Sequence, residues 1–314
     1  MNEQSSGQAA SAVRSAAVTV DVPAKINPHL GVGDARADGY HALSTVYQSI
    51  SLYDTITVER REEPGIELSV SGEGAGILPT CDENLAARAA KLMAIYGGVE
   101  PAVRLHLNKR IPVAGGLAGG SADAAAALVA CSRLWGIEIG DAELHRLAAG
   151  LGSDVPFCLK GGTAVGSGRG EELRHVDSLG TWHWVVATTD MQISTPECFK
   201  EVDRLREDGI GRFSSDVEPI VQAFEVGVGA EELAHLLVND MEAAAVSLRP
   251  QLASLMHGGL AEGALAAHVS GSGPTVLFLA SDMKHSVALA RRLRMRGGAR
   301  SIHLARGPVP GPAA

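Results

Sequence analysis

Apolar and polar residues alternate through "VTVDV" at 18–22, which predicts a strand that stops at Pro23. The same period of two runs through "TITVERR" (55–61) and "GIELSVSG" (65–72), a pair of strands joined by a Pro-Gly turn. Helical spacing takes over in "NLAARAAKLMAIY" (84–96) and ends at Gly97-Gly98. "AVRLHLNKRIP" (102–112) alternates again and leads into a glycine-rich loop. A long alanine-rich helix follows to about Trp135, stopped by Gly136, and a shorter one covers 141–149. Glycines then carry the chain through "GLGSDVPFCLKGGTAVGSGRGEEL", a loop and a further hairpin.

The pattern restarts with a strand in "WHWVVATTD" (182–190), and "ISTPECFKEVDRL" reads as a loop entering a helix. Residues 218–230, 234–248 and 250–258 are helical or mixed. "AAHVSGSGPTVLFLAS" predicts strand, glycine turn, strand; "KHSVALARRLRMRG" an amphipathic helix; "SIHLA" a last strand. No repeat of fixed period occurs. Helices and strands are interleaved, yet the hairpin-like pairs favour an α+β fold over a doubly wound parallel sheet. A boundary near 170–180 divides the chain into units at 17–175 and 176–306. The first 16 residues and the tail "GPVPGPAA" (307–314) are expected to be disordered ends.

Composition narrows the class. The chain has 314 residues, 46% of them hydrophobic and 20% charged, ordinary for a globular protein with a real core. A net charge of −9 and one short basic run, "RRLRMRGGAR", argue against a nucleic-acid partner, which needs a broad basic stripe. No apolar run long enough for a membrane span is present, and the N-terminus lacks the apolar core of a signal peptide. Cys81, Cys131, Cys158 and Cys198 are far apart with no Cys-x-x-Cys pair, as expected of reduced thiols in a cytoplasmic protein.

The loop "PVAGGLAGGSADAAAAL" (112–128) carries the clearest chemistry. First-turn N–H groups lack intrahelical partners, and the helix dipole adds positive charge there. Glycines remove side chains that would hold an anion away and permit an anion-binding nest. Ser121 is expected to cap the helix and add a hydroxyl donor. Strand, glycine loop, serine and helix thus make a phosphate site; tight helix packing is the other reading. Gly-x-x-x-x-Gly-Lys-Ser/Thr, Gly-x-Gly-x-x-Gly, His-Glu-x-x-His and Gly-x-Ser-x-Gly are all absent, which leaves P-loop, Rossmann, zinc-hydrolase and nucleophile-elbow sites unsupported. The loop has no lysine of its own. A candidate cation is Lys25 in "VPAKINPHLGV", which reads equally as a solvated lysine. In "LGSDVPFCL" (151–159) Asp154 stands in an apolar setting, where a carboxylate needs partners. It is either a helix cap or turn, or a general base for a substrate hydroxyl.

Three separated segments, "PAKINPHLGV", "KRIPVAGGLAGGSADAAAAL" and "VSGSGPTVLF", resemble in order the three motifs of the galactokinase–homoserine kinase–mevalonate kinase–phosphomevalonate kinase (GHMP) superfamily. "RADGYHALSTVYQSISLYDTI", "ENLAARAA", "LGSDVPF" and "ISTPECFK" are similar to one branch of it. That branch phosphorylates the 2-hydroxyl of a cytidine-diphosphate-linked methylerythritol, in the non-mevalonate route to isoprenoids. The resemblance implies an N-terminal ATP domain, a C-terminal GHMP domain and an active site in the cleft between them. Carried over by position, Lys25 and Asp154 are the catalytic pair. Asp154 takes or orients the hydroxyl proton, and Lys25 lowers that hydroxyl's pKa. Pro112, Val113, Ala114, Gly115, Gly116, Leu117, Ala118, Gly119, Gly120, Ser121 and Ala122 form the ATP phosphate loop, with Mg²⁺ as counter-ion. Asn84 and Lys109 match positions near the adenine or ribose.

The resemblance also implies that Tyr40 and Phe199 sandwich the cytosine while His41 reads its edge, with Tyr47 as a wall and Asn27 and Thr195 near polar groups of the substrate. Each aromatic serves equally as a core side chain. The chain departs from the family pattern in having Ser121-Ala122 where a serine pair is common, so one hydroxyl donor is absent. Tyr47 stands where phenylalanine is common. The metal ligands and the oligomeric state stay unassigned. A kinase for another small alcohol, or a non-catalytic nucleotide-binding regulator, remain the alternatives; a regulator is expected to lack Lys25 or Asp154, and both are present.

Overall fold

The computed structural model describes residues 17–36, 39–113, 115–211 and 213–313. The expected N-terminal extension, 1–16, lies outside them. The first half is built on a long antiparallel ribbon of β1 (Val18–Ala35) and β2 (His41–Arg60). β1 does not stop at Pro23. Its register with β2 shifts at Pro23/Ala24 and between Ile26 and His29, around Pro28. Proline lacks an N–H, and irregularities of this kind are where a ladder accommodates one.

β3 (Gly65–Gly72), α1 (Leu85–Gly97) and β4 (Ala102–Lys109) form a β–α–β unit. β4 lies between β2 and β3, antiparallel to the first and parallel to the second, so the expected 55–61/65–72 hairpin does not form. α2 (Gly119–Trp135), α3 (Asp141–Leu151) and α4 (Val155–Lys160) follow. The hairpin β5 (Thr163–Ser167)/β6 (Glu172–Val176) completes the half, with β5 adding to β2. Ala122 and Ala124–Ala127 of α2 are fully buried. A helix that is apolar all round is a central one, and small side chains let sheet and helices approach it.

The second half runs through β7 (Trp182–Thr188), α5 (Thr195–Glu207), α6 (Glu218–Val226), α7 (Ala230–Ala234), β8 (Val238–Asn239), α8 (Glu242–Leu248), α9 (Gln251–Ala261), β9 (Ala266–Val269), β10 (Val276–Ala280), α10 (Met283–Arg296) and β11 (Ser301–Gly307). Four of its strands form an antiparallel sheet in the order β11-β7-β10-β9. The period of two explains how this sheet serves two cores. Trp182, Trp184 and Val186 of β7, with Leu277 and Leu279 of β10, join the large core of the first half. Val185, Ala187, Val276 and Phe278 face the other way, onto α5, α8, α9 and α10. Burial on both faces is why "VLFLA" reads as continuously apolar. β8 departs from its own half and pairs in parallel with β1, His29 opposite Val238.

The expected disorder of the tail is not found over 307–313. Gly311 N donates to Lys160 O (2.8 Å) and Ala313 N to Leu159 O (2.9 Å), while Val309 O accepts from Gly162 N (2.8 Å). The last carbonyls of a helix have no intrahelical partner; the extended tail supplies two of them at the end of α4. Among the described residues, no helix is long and apolar enough to cross a membrane.

Candidate active site

β4 hands the chain to the glycine loop, and the loop to α2. The residue preceding α2 is Ala118, in the left-handed region (φ 55°) with no side-chain cap. The expected Ser121 cap is therefore absent: Ser121 lies inside the first turn, too far along to cap it. Gly115, Gly116, Ala118, Gly119 and Gly120 line a cleft of about 1250 Å³. Pro112, Leu117 and Ala122 are buried instead, Val113 and Ser121 are half-buried beside the cleft, and Ala114 lies outside the described residues. Lys25 N donates to Leu117 O (3.2 Å), tying β1 to the loop. Gly116 has φ +72°, and a Cβ there would stand 1.9 Å from Ser270 O, so only glycine lets the two turns meet. Ser270 Oγ donates to Gly116 O (3.0 Å), seating the "VSGSGP" turn of the second half on the glycine loop.

Beneath the loop lies a buried ion network. Lys109 donates to Asp54 and to Asp123 Oδ2 (2.8 Å), while Asp54 Oδ1 accepts from Arg110 N and Ile111 N (2.6 and 2.8 Å). Lys109 thus does not line the cleft as expected of a nucleotide contact; two carboxylates hold its ammonium under Gly119. Burial alone would push the Lys109 ammonium down, and Asp123 and Asp54 outweigh it to leave the pKa raised. Asn84 is likewise away from the cleft. Its Oδ1 accepts from Ala86 N as the N-cap of α1, and its Nδ2 donates to Pro79 O.

Burial pushes the Asp123 carboxyl up from 3.8 to about 8, against the opposing pull of Lys109. A raised carboxyl holds its proton in the folded state and loses it in the unfolded one, so stability falls as pH rises between those values. Asp123→Asn should remove that slope. Its unfolding free energy relative to the parent should improve steadily from about pH 5 to about pH 8, by at most ~1.4 kcal/mol per pH unit. A constant difference across the range would mean that Lys109 keeps Asp123 ionised throughout.

Lys25 and Asp154, far apart in the chain, meet in the cleft. Lys25 Nζ is 3.6 Å from Asp154 Oδ2 and donates to Asn27 Oδ1 (2.8 Å). Asn27 Nδ2 donates to Thr45 Oγ1 (2.8 Å), and Thr45 in turn donates to His29 O (2.7 Å), which fixes which end of the Asn27 amide faces the lysine. Asp154 immediately precedes α4 but makes no cap bond; its carboxylate turns to Lys25 and to Tyr47. Tyr47 is more than the expected wall. Its hydroxyl donates to Asp154 Oδ1 (3.2 Å), its ring packs on Phe157, and Lys25 Nζ sits 5.3 Å from its centroid. Burial and then the Asp154 charge raise the Tyr47 pKa well above its ordinary value, so it stays a donor.

At the other end of the cleft stand Tyr40, His41, Thr195 and Phe199. Tyr40 is 56% exposed, with the Arg169 guanidinium 5.0 Å from its ring centroid. His41 stacks on Phe199 (centroids 4.7 Å, planes 9° apart), and Thr195 Oγ1 is 3.0 Å from Ser272 Oγ. Sequence reasoning missed Thr45, Arg169 and Asp203. Asp203 had a signal, since it follows Phe199 by four residues on a predicted helix and shares its face.

A family model described as GHMP kinases N terminal domain matches residues 84–162, and one described as GHMP kinases C terminal matches 220–297. The chain is 52% identical over 297 residues to a protein of Saccharopolyspora erythraea named 4-diphosphocytidyl-2-C-methyl-D-erythritol kinase, covering 94% of this chain and 92% of that one. To the protein of the same name from Mycobacterium tuberculosis it is 49% identical over 299 residues, covering 95% and 93%. A solved 4-(cytidine 5'-diphospho)-2C-methyl-D-erythritol kinase, 34% identical, matches with a TM-score of 0.75 over 93% of this chain and 99% of that one. The homoserine kinase from Cytophaga hutchinsonii, at 16% identity, shares the fold with a TM-score of 0.72. With about half its residues shared over nearly the whole length of such relatives, the chain belongs to the 4-diphosphocytidyl-2-C-methyl-D-erythritol kinases of the GHMP kinase family.

Proposed function

We propose that the chain transfers the γ-phosphoryl group of ATP to the 2-hydroxyl of 4-diphosphocytidyl-2-C-methyl-D-erythritol, a step of the non-mevalonate route to isoprenoid precursors. The observation that carries this reading is the meeting of Lys25 and Asp154 beside the glycine loop in one cleft. The substrate hydroxyl oxygen forms the new P–O bond, the bond from the γ-phosphorus to the β,γ-bridging oxygen breaks, and ADP leaves. Asp154 accepts the hydroxyl proton, held in place by the Tyr47 hydroxyl and Lys25. Lys25, aimed by Asn27, stabilises the alkoxide character that develops on the attacking oxygen. Loop amides of 115–120 and the start of α2 receive the phosphates.

Magnesium fits this cleft. The ion is held by one or two carboxylates together with substrate phosphates rather than by a protein cage, and among the described residues no cluster of three metal-binding side chains competes for it. Of the two described carboxylates that line the cleft, Asp203 is taken by His41 and Asp154 by Lys25 and Tyr47, so the ion would be held mainly by the phosphates. When bound, it neutralises charge on the phosphates. We read 17–175 as the nucleotide-binding unit and 176–306 as the second unit, with Tyr40, His41, Thr195 and Phe199 receiving the cytosine end. Four unpaired thiols support a cytoplasmic setting.

ADP release by the purified protein with Mg-ATP tests the reading, with homoserine and mevalonate beside the cytidylyl substrate. Turnover with the cytidylyl substrate alone is the expected result. Activity on another alcohol only would keep the kinase and discard the cytosine pocket, and silence on all three would favour a regulator.

A further inference from the structure

α5 lays three successive side chains onto the ends of the first half's long strands. Phe199 stacks on His41, Asp203 Oδ1 is 2.9 Å from His41 Nε2, and Arg206 donates to the carbonyls of Val32 and Gly33. The spacing is that of one helical face, 199, 203 and 206. His41 is buried, so its ring is held from two sides: an aromatic face against its plane and a carboxylate at one nitrogen. An ionised carboxylate only accepts, so Nε2 carries the proton in this contact, and a neutral imidazole is then left with its lone pair on Nδ1.

We infer that Asp203 is a positioning residue that sets His41 as a hydrogen-bond acceptor, so that the cleft prefers a pyrimidine with an exocyclic amino group over one with a keto oxygen. The inference rests on the function proposed above and deepens it. Because the imidazole lies within 9° of parallel to Phe199, a base stacked beside it on the same face of Phe199 shares its plane and meets it edge to edge. Cytosine offers an N4 amino donor at that edge, and uracil offers an O4 acceptor. An acceptor fixed on His41 pairs with the first and repels the second. With the carboxylate gone, the imidazole shifts its proton between nitrogens freely, and either base finds a match.

The test compares Asp203→Ala and Asp203→Asn with the parent protein, in the full chain. Calorimetry measures CDP against UDP binding, and kinetics use the cytidylyl substrate with saturating Mg-ATP. Asp203→Ala should raise KM for the cytidylyl substrate about two- to threefold with kcat little changed, and should shrink the CDP-over-UDP preference roughly tenfold, chiefly because UDP gains a match. Asp203→Asn keeps an acceptor oxygen for Nε2–H and should recover most of the preference. In a His41→Ala background, Asp203→Ala should add nothing further, because its effect passes through the imidazole. Nitrogen-15 shifts of the His41 ring should report a protonated Nε2 in the parent and a tautomer mixture in Asp203→Ala. An unchanged CDP/UDP ratio in Asp203→Ala, or an equal loss in the His41→Ala background, would overturn the inference while leaving the kinase reading intact. A parent protein that neither binds CDP nor turns over the cytidylyl substrate would overturn both.

Discussion

Asp154→Ala should reduce kcat by at least about 10²–10⁴-fold while the protein still binds ATP, because a positioned general base contributes on that order. The two readouts separate on structural grounds. Asp154 meets Lys25 and Tyr47 in the cleft, whereas the phosphate contacts proposed above are backbone groups of 115–120. Asp154 is also partly exposed and makes no cap bond to α4, so its loss leaves the helix intact. ATP affinity, read by calorimetry, should shift by no more than a few-fold. A folded variant that no longer binds ATP would move Asp154 from the proton to the phosphates.

The largest effect on stability is expected at Lys109. Lys109→Met leaves the Asp54 carboxylate buried with no cation beside it, and breaking a buried ion pair from one side costs about 3–5 kcal/mol. For a chain of 314 residues that lowers the thermal midpoint by roughly 5–8 °C. The loop should suffer with it, since Asp54 also accepts from the amides of Arg110 and Ile111 at its entrance. KM for ATP is therefore expected to rise in whatever fraction stays folded. A midpoint within about 2 °C of the parent would mean that Asp54 needs no cation there.

These two residues mark where the sequence was legible and where it was not. Asp154 stood out because a carboxylate between Gly-Ser and Val-Pro-Phe is locally anomalous, and the glycine loop because its residues act through their own backbone. Lys109 ends an alternating strand, and nothing nearby in sequence records that Asp54, 55 residues upstream, will accept from its ammonium. Strand pairing failed for a like reason: alternation in 55–61 and 65–72 sets which faces are buried, not which strand lies alongside, and β4 took the middle place. The hydroxyl of Tyr47 and the carboxylate of Asp203 gained their roles only through partners 107 and 162 residues away. Pro23 misled because a proline at a bulge resembles a proline at a strand end.

The passage of β8 from the second half into the first half's sheet bears on how the polypeptide becomes protein. A fragment ending near residue 176 would have β1 without its parallel neighbour and would lack Trp182, Trp184, Ile220 and Phe224, which complete the large core. Such a fragment exposes an unpaired strand edge beside uncovered apolar surface, the combination that drives chains to aggregate. The two halves are thus bound to a common folding event. A nascent chain emerging from synthesis cannot finish its first half and wait. It needs roughly the next sixty residues, through Asn239, before that sheet closes.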